Sequence, residues 1–209
     1  MTLTKKDRRL TALCALLLAA LVAALSVFDY SISAAKVRDD VLRLHILANS
    51  DSTEDQAVKL LVRDRLLAEA NTLFQGDITP DTAAQILGPA LPRLAAIAET
   101  VLRENGMDYG AKAYLTTEYF DTRAYGDFTL PAGTYTALRI VLGSGRGQNW
   151  WCVMFPPLCL PAAEGGAEAE SVFSGDAWRI VHPAEGYQIR FKIVEIFAWI
   201  RNKAEGKKQ

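Results

Sequence analysis

VLRLHILANSDSTEDQAVKLLVRDRLL, residues 41–67, contains the change of period that decides the fold. Its first seven residues alternate. Leu42, Leu44 and Ile46 share one side and Arg43 and His45 the other, the two-residue repeat of a strand with one polar face. Ala48-Asn49-Ser50-Asp51-Ser52 interrupts that pattern, and Val58, Leu61, Val62 and Leu66 then recur at helical spacing. Ser52 with Asp55 three residues on resembles a capping box using Asp in place of Glu, and Asp51, Glu54 and Asp55 crowd the positive end of the helix dipole. Asn49, Ser50 and Asp51 read as the cap of this helix, with contact to a partner as the competing role. Lys59, Arg63 and Arg65 mark its solvated side, and Gln75-Gly76 stops it after Phe74.

Downstream, Thr79 and Pro80 are N-cap and first position of a second helix. Its stripe is Ile86, Leu87, Ala90, Leu91, Leu94, Ile97, Ala98, Val101 and Leu102, and Pro89 and Pro92 inside it are expected to kink or split it. Strands follow at Tyr109–Phe120, Asp127–Leu130, Thr134–Leu142 and Trp150–Phe155, with Pro131-Ala132-Gly133 as a hairpin turn between the second and third. Residues 160–175 form an acidic, small-residue loop, and the alternation of Tyr187, Ile189, Phe191 and Ile193 leads into a short helix around Ile196 and Ile200. One strand, then helices, then a run of strands predicts an α+β fold with a largely antiparallel sheet and two to three helices.

Upstream, Lys5, Lys6, Arg8 and Arg9 precede 19 residues without a charge, Leu10 to Phe28. As a helix that run spans roughly 28 Å, close to a bilayer's hydrocarbon core. The basic flank stays cytoplasmic and everything after Tyr30 is placed outside. Ser31-Ile32-Ser33 and Ser33-Ala34-Ala35 both suit a signal peptidase, whereas the apolar run is longer than an ordinary signal core. Residues 1–35 are therefore a signal peptide or a membrane anchor, and residues 36–209 one exported domain. With 23 basic against 24 acidic side chains and 50% hydrophobic residues, the chain is neither a phosphate-neutralising nucleic-acid binder nor disordered.

Beyond the apolar run the cysteines are Cys152 and Cys159. In an oxidising space they are expected to form a disulfide worth roughly 2.5 kcal/mol. The closed loop, stiffened by Pro156 and Pro157, presents Phe155 to Leu158 as an apolar turn, either for contact or as a local staple. Just before it lies the densest motif, GSGRGQNWWC, residues 143–152. No Lys-Ser/Thr pair follows its glycines, so a wide hairpin turn is favoured over a phosphate loop. Trp150 and Trp151 face opposite sides of a strand, leaving one of them free, beside Asn149, for recognition.

These motifs carry a resemblance. LRLHILANSDSTEDQAVKLLVRDRLL, residues 42–67, and LPAGTYTALRIVLGSGRGQNWWCVMFPPLC, residues 130–159, resemble the stage II sporulation protein R family of endospore formers. The resemblance implies a signalling protein, secreted from the forespore into the intermembrane space or anchored to the outer face of the forespore membrane. There it triggers a membrane-embedded aspartic protease that processes the sigma-E precursor in the mother cell. It implies that the catalytic aspartates belong to the partner, and no catalytic residue, metal or cofactor is expected in this chain. From the motifs themselves, partner contact is expected at Asn49, Ser50, Asp51, Asn149, Trp150, Trp151, Phe155, Pro156, Pro157 and Leu158. Three competing readings stand beside it. One is an exported cysteine hydrolase using Cys152 with His45 or His182, one a zinc site from those residues and Cys159, and one a cell-envelope binding module using exposed tryptophan.

Overall fold

The computed structural model describes residues 4–76, 78–125, 128–156 and 181. The acidic loop at 160–175, the strand and helix expected at 187–200, and Pro157, Leu158, Cys159 and His182 lie outside the described residues. Among the described residues the elements are α1 (Lys5–Asp39), β1 (Leu42–Leu47), α2 (Thr53–Leu73), α3 (Pro80–Glu104), β2 (Ala111–Phe120), β3 (Arg123–Tyr125), β4 (Phe128–Leu130), β5 (Gly133–Leu142) and β6 (Asn149–Phe155). The fold is α+β, with a long apolar helix ahead of a mixed, mostly antiparallel sheet.

That sheet has the order β2-β5-β1-β6. β1 pairs with β5 in parallel, Leu44 opposite Leu138, and with β6 antiparallel, Leu44 opposite Cys152. β2 and β5 pair antiparallel along their full length, from Ala111 opposite Leu142 to Phe120 opposite Gly133. β1 is thus a central strand whose polar face is buried as well: Arg43 is fully buried and His45 is 4% exposed.

On one face Leu42, Leu44 and Ile46 join Leu138, Ile140 and Cys152 beneath Val58, Val62 and Leu66 of α2 and Leu87, Leu94 and Leu102 of α3. A bulge in β6 skips Met154 between the pairs Arg43–Val153 and Leu42–Phe155. Two successive side chains, Met154 and Phe155, can therefore both reach this helix-covered cluster. On the other face Val37, Val41, Phe120, Phe128, Leu130, Tyr135, Ala137, Val153 and Val181 form a second cluster.

Several local expectations change. α3 runs unbroken past Pro89 and Pro92. Both prolines are exposed, so the carbonyls that lose a partner four residues back lie on the solvent side of the helix. Pro131–Gly133 is not a hairpin turn between β4 and β5. β4 pairs with β3, and this two-stranded ribbon is an excursion from the β2–β5 hairpin. In α2, Lys59 points inward and is 5% exposed, while Leu61 is 46% exposed.

Arg43 sits in an aromatic cage that the ribbon helps to build. Its guanidinium lies 4.3 Å from the Phe120 ring centroid, 5.1 Å from Tyr135 and 5.5 Å from Tyr125. Nε donates to the Cys152 carbonyl at 3.2 Å and Nη2 to the Tyr125 hydroxyl. Burial pulls the arginine below its ordinary pKa, while the surrounding tyrosines favour its charge.

Candidate functional site

The two sequence motifs meet at the C-terminal end of β1. Because β1 lies between β5 and β6, the glycine-rich segment between those strands cannot be the expected hairpin turn, and it crosses over the end of β1 instead. There it clasps the Ala48–Asp51 turn. Gly147 N donates to Ala48 O at 2.9 Å and Arg146 N to Asn49 O at 3.3 Å. Ser144 Oγ donates to Asn49 O at 2.6 Å, Ser144 N to Asn49 Oδ1 at 2.9 Å, and Gln148 N to Asp51 Oδ1 at 2.6 Å. From below, Lys59 Nζ donates to Gln148 O at 3.0 Å and to Gln56 Oε1 at 2.5 Å.

The glycine spacing follows from this contact. A Cβ on Gly147 would overlap the Ser50 carbonyl, and one on Gly143, whose φ is +54°, would overlap the Asn49 amide. Gly147 thus serves close backbone approach, and Gly143 a left-handed turn packed on the Asn49 side chain, both within the chain and not around a phosphate.

Asp55 ties the clasp to the helices. Its carboxylate accepts from Asn49 Nδ2 at 2.9 Å, from Ser50 Oγ at 2.5 Å and from the Tyr109 hydroxyl. Burial opposes its ionisation, yet the hydrogen bonds from Ser50, Tyr109 and Asn49 outweigh that and hold the carboxyl below its ordinary range. Burial and the same bond push the Tyr109 phenol up. The capping box is accordingly half formed: Ser52 Oγ accepts from Asp55 N at 3.1 Å, but Ser52 N turns to Ser50 Oγ and not to Asp55.

Beside the clasp, on the sheet face away from α2 and α3, lies a groove of about 610 Å³. His45 stacks on Trp151 with centroids 3.6 Å apart, and its Nδ1 is 2.7 Å from Glu118 Oε2. Arg139 Nε is 3.7 Å from the other Glu118 oxygen, and Asn149, Asp121 and Arg123 complete the rim. Strand alternation is what gathers them: His45, Arg139, Glu118 and Trp151 occupy one face of four adjacent strands.

Of the ten expected contact residues, the eight described ones do not form one patch. Asn49, Ser50 and Asp51 sit in the clasp with Asn149 at its edge, and Trp151 lines the groove. Trp150 faces the helices, where the Arg63 guanidinium covers its ring at 4.4 Å. Both tryptophans are half-buried, so neither is the free aromatic surface expected of one of them. Phe155, against Phe74, and Pro156 lie at the far end of β6, roughly 20 Å from Asn149.

Cys152 is disulfide-bonded and projects into the helix-covered face, opposite to His45. The two therefore form neither a nucleophile–base pair nor half of a zinc site. Glu118, Arg139, Tyr109 and the Arg43 cage were missed by sequence reasoning, which found Asp55 only as a capping residue. The signal that marks Glu118 and Arg139 is a charge inside an otherwise β-rich run.

The model of the family described as Stage II sporulation protein R matches residues 38–164, more than half of the chain and both motifs. The chain belongs to the stage II sporulation protein R family. It is similar to the stage II sporulation protein R of Bacillus subtilis (strain 168), at 39% identity over 123 residues, which cover 59% of this chain and 55% of the relative. The chain thus spans about half the length of the curated relative it matches. No solved structure matches it. The family match contains the clasp, the Arg43 cage and the whole described sheet, and begins one residue before α1 ends.

Proposed function

We propose that the protein is an intercellular signal of endospore formation, exported from the forespore, which activates a membrane-embedded aspartic protease and so starts processing of the sigma-E precursor in the mother cell. The observation that carries this reading is the family match over residues 38–164, which contains both motifs. The fold is compatible with it, because an apolar helix of spanning length precedes an α+β domain. Activation is a matter of differential affinity: the domain binds the active state of the protease more tightly than the inactive one and shifts the population.

We assign the contact to the end of the sheet where clasp and groove adjoin. Exposed Asp51, Ser144, Arg146, Gln148 and Asn149 there stand on a rigid, internally bonded base. A surface whose backbone is already fixed loses little conformational entropy on binding.

The test is coexpression of the full chain with the protease and its sigma precursor in a non-sporulating host. Precursor cleavage is expected to rise well above that with the protease alone. An unchanged level would overturn the proposal. Within the same assay Arg146→Ala with Asn149→Ala should reduce activation at least several-fold without changing the amount of folded protein, and full activation would move the contact elsewhere.

A further inference from the structure

We infer that α1 is a permanent anchor, uncut at either candidate peptidase site and docked into the domain, so that the domain works fixed to the membrane surface. α1 is one helix whose environment changes sharply along its length. Leu10, Leu13, Leu16, Leu17, Leu21 and Phe28 are all more than half exposed, with no protein against them among the described residues. Two residues past Phe28 the burial reverses. Tyr30 is 3% exposed, Ser33 8%, Ala34 1% and Val37 0%. Their spacing of three or four residues makes one stripe of a helix. Val37 belongs to the same cluster as Val41, Phe120, Tyr135, Ala137 and Val153. The first part has the length and hydropathy of a bilayer span, and the second is part of the domain core.

Both small-residue sites fall inside the second part. Cutting after Ser33 or after Ala35 would remove Tyr30 and its neighbours from the packed stripe. The peptidase acts before the domain folds, so burial alone does not protect the bond, but the sequence acts earlier. No glycine or proline occurs from Met1 to Gln75. Nothing therefore breaks the nascent helix between the apolar run and the sites, and a protease requires an extended, exposed chain. The apolar run also exceeds the signal core that a peptidase normally follows. From Asp29 to Asp39 the helix adds roughly 16 Å. With no flexible linker, the domain is held close to the lipid in one orientation.

The test expresses the full chain in a bacterium and measures intact mass in membrane and soluble fractions. The expected species is the uncut chain of 22.9 kDa, resistant to carbonate extraction and released by detergent. A soluble species beginning at Ala34 or Lys36 would overturn the inference. Tyr30→Ala leaves both peptidase sites intact and tests the docking. In detergent it should lower the thermal midpoint of the domain by roughly 6–15 °C, and an unchanged midpoint would mean that the helix is only tethered.

Discussion

Gly147 and Asp55 hold the two motifs together by different means, and each can be tested alone. At Gly147 the requirement is space. Gly147→Ala drives a methyl group into the Ser50 carbonyl, and because both sides are backbone the clasp must open, at a cost of about 2–3 kcal/mol. Gly88, in α3, has nothing within 4 Å of an added Cβ apart from its own helix and chain neighbours. Gly88→Ala should change stability by less than about 0.5 kcal/mol, because the gain in helix propensity is offset by crowding of the new Cβ against the ring of Pro89. Urea unfolding of the pair checks this, and equal shifts would remove the steric explanation of the glycine spacing. At Asp55 the requirement is charge. Its folded pKa is depressed, so its contribution is complete above the unfolded value of 3.8 and disappears as pH falls below that through the lower folded value. The stability gap between the native protein and Asp55→Asn should be constant near neutral pH and narrow below about pH 4. A gap that stayed level down to pH 3 would show that the carboxylate is not the stabilising form.

Among the elements, β1 imposes the most on its neighbours. As a strand buried on both faces it brings two polar side chains inside, and each has a partner from a distant element. His45 meets Glu118 of β2, and Arg43 is enclosed by Phe120, Tyr125 and Tyr135. The β3–β4 ribbon contributes Tyr125 through a ring stacked on Phe128 at 5.3 Å. Although only three residues per strand, it closes one side of the cage. Arg43→Ala removes the guanidinium, leaves a cavity between three rings and strips the Cys152 carbonyl of a donor. The loss should be about 3–4 kcal/mol, seen as a lower unfolding midpoint and as faster proteolysis within Arg123–Leu130 than elsewhere. Equal susceptibility along the chain would mean that the ribbon does not depend on the cage.

For the whole molecule, local order was legible in the sequence and distant pairing was not. The period change at 47–53, the caps at Ser52 and Thr79 and the apolar run at 10–28 depend on residues a few positions apart, and the structure has the corresponding helices and first strand. The neighbours of β1 depend on strands nearly a hundred residues later. The burial of Arg43 and His45, the crossing of the glycine loop and the meeting of the two motifs all follow from that pairing, and no local pattern encodes it. The sheet order β2-β5-β1-β6 has a measurable consequence. β1 and β5 are each hydrogen-bonded on both sides, their apolar residues are almost fully buried, and their parallel register brings Leu44 to Leu138 and Ile46 to Ile140. Local opening cannot free their amides without parting the sheet, so they should exchange only on global unfolding. Among the described residues β2 and β6 are each paired on one side only, and β3–β4 lies outside the main sheet. Amide hydrogen exchange should therefore be slowest at Arg43–Leu47 and Thr136–Val141, faster in alternate amides of β2 and β6, and fastest of all strands in β3–β4. If β6 were protected as strongly as β1, another strand would have to lie beyond it, and the four-stranded order would be incomplete.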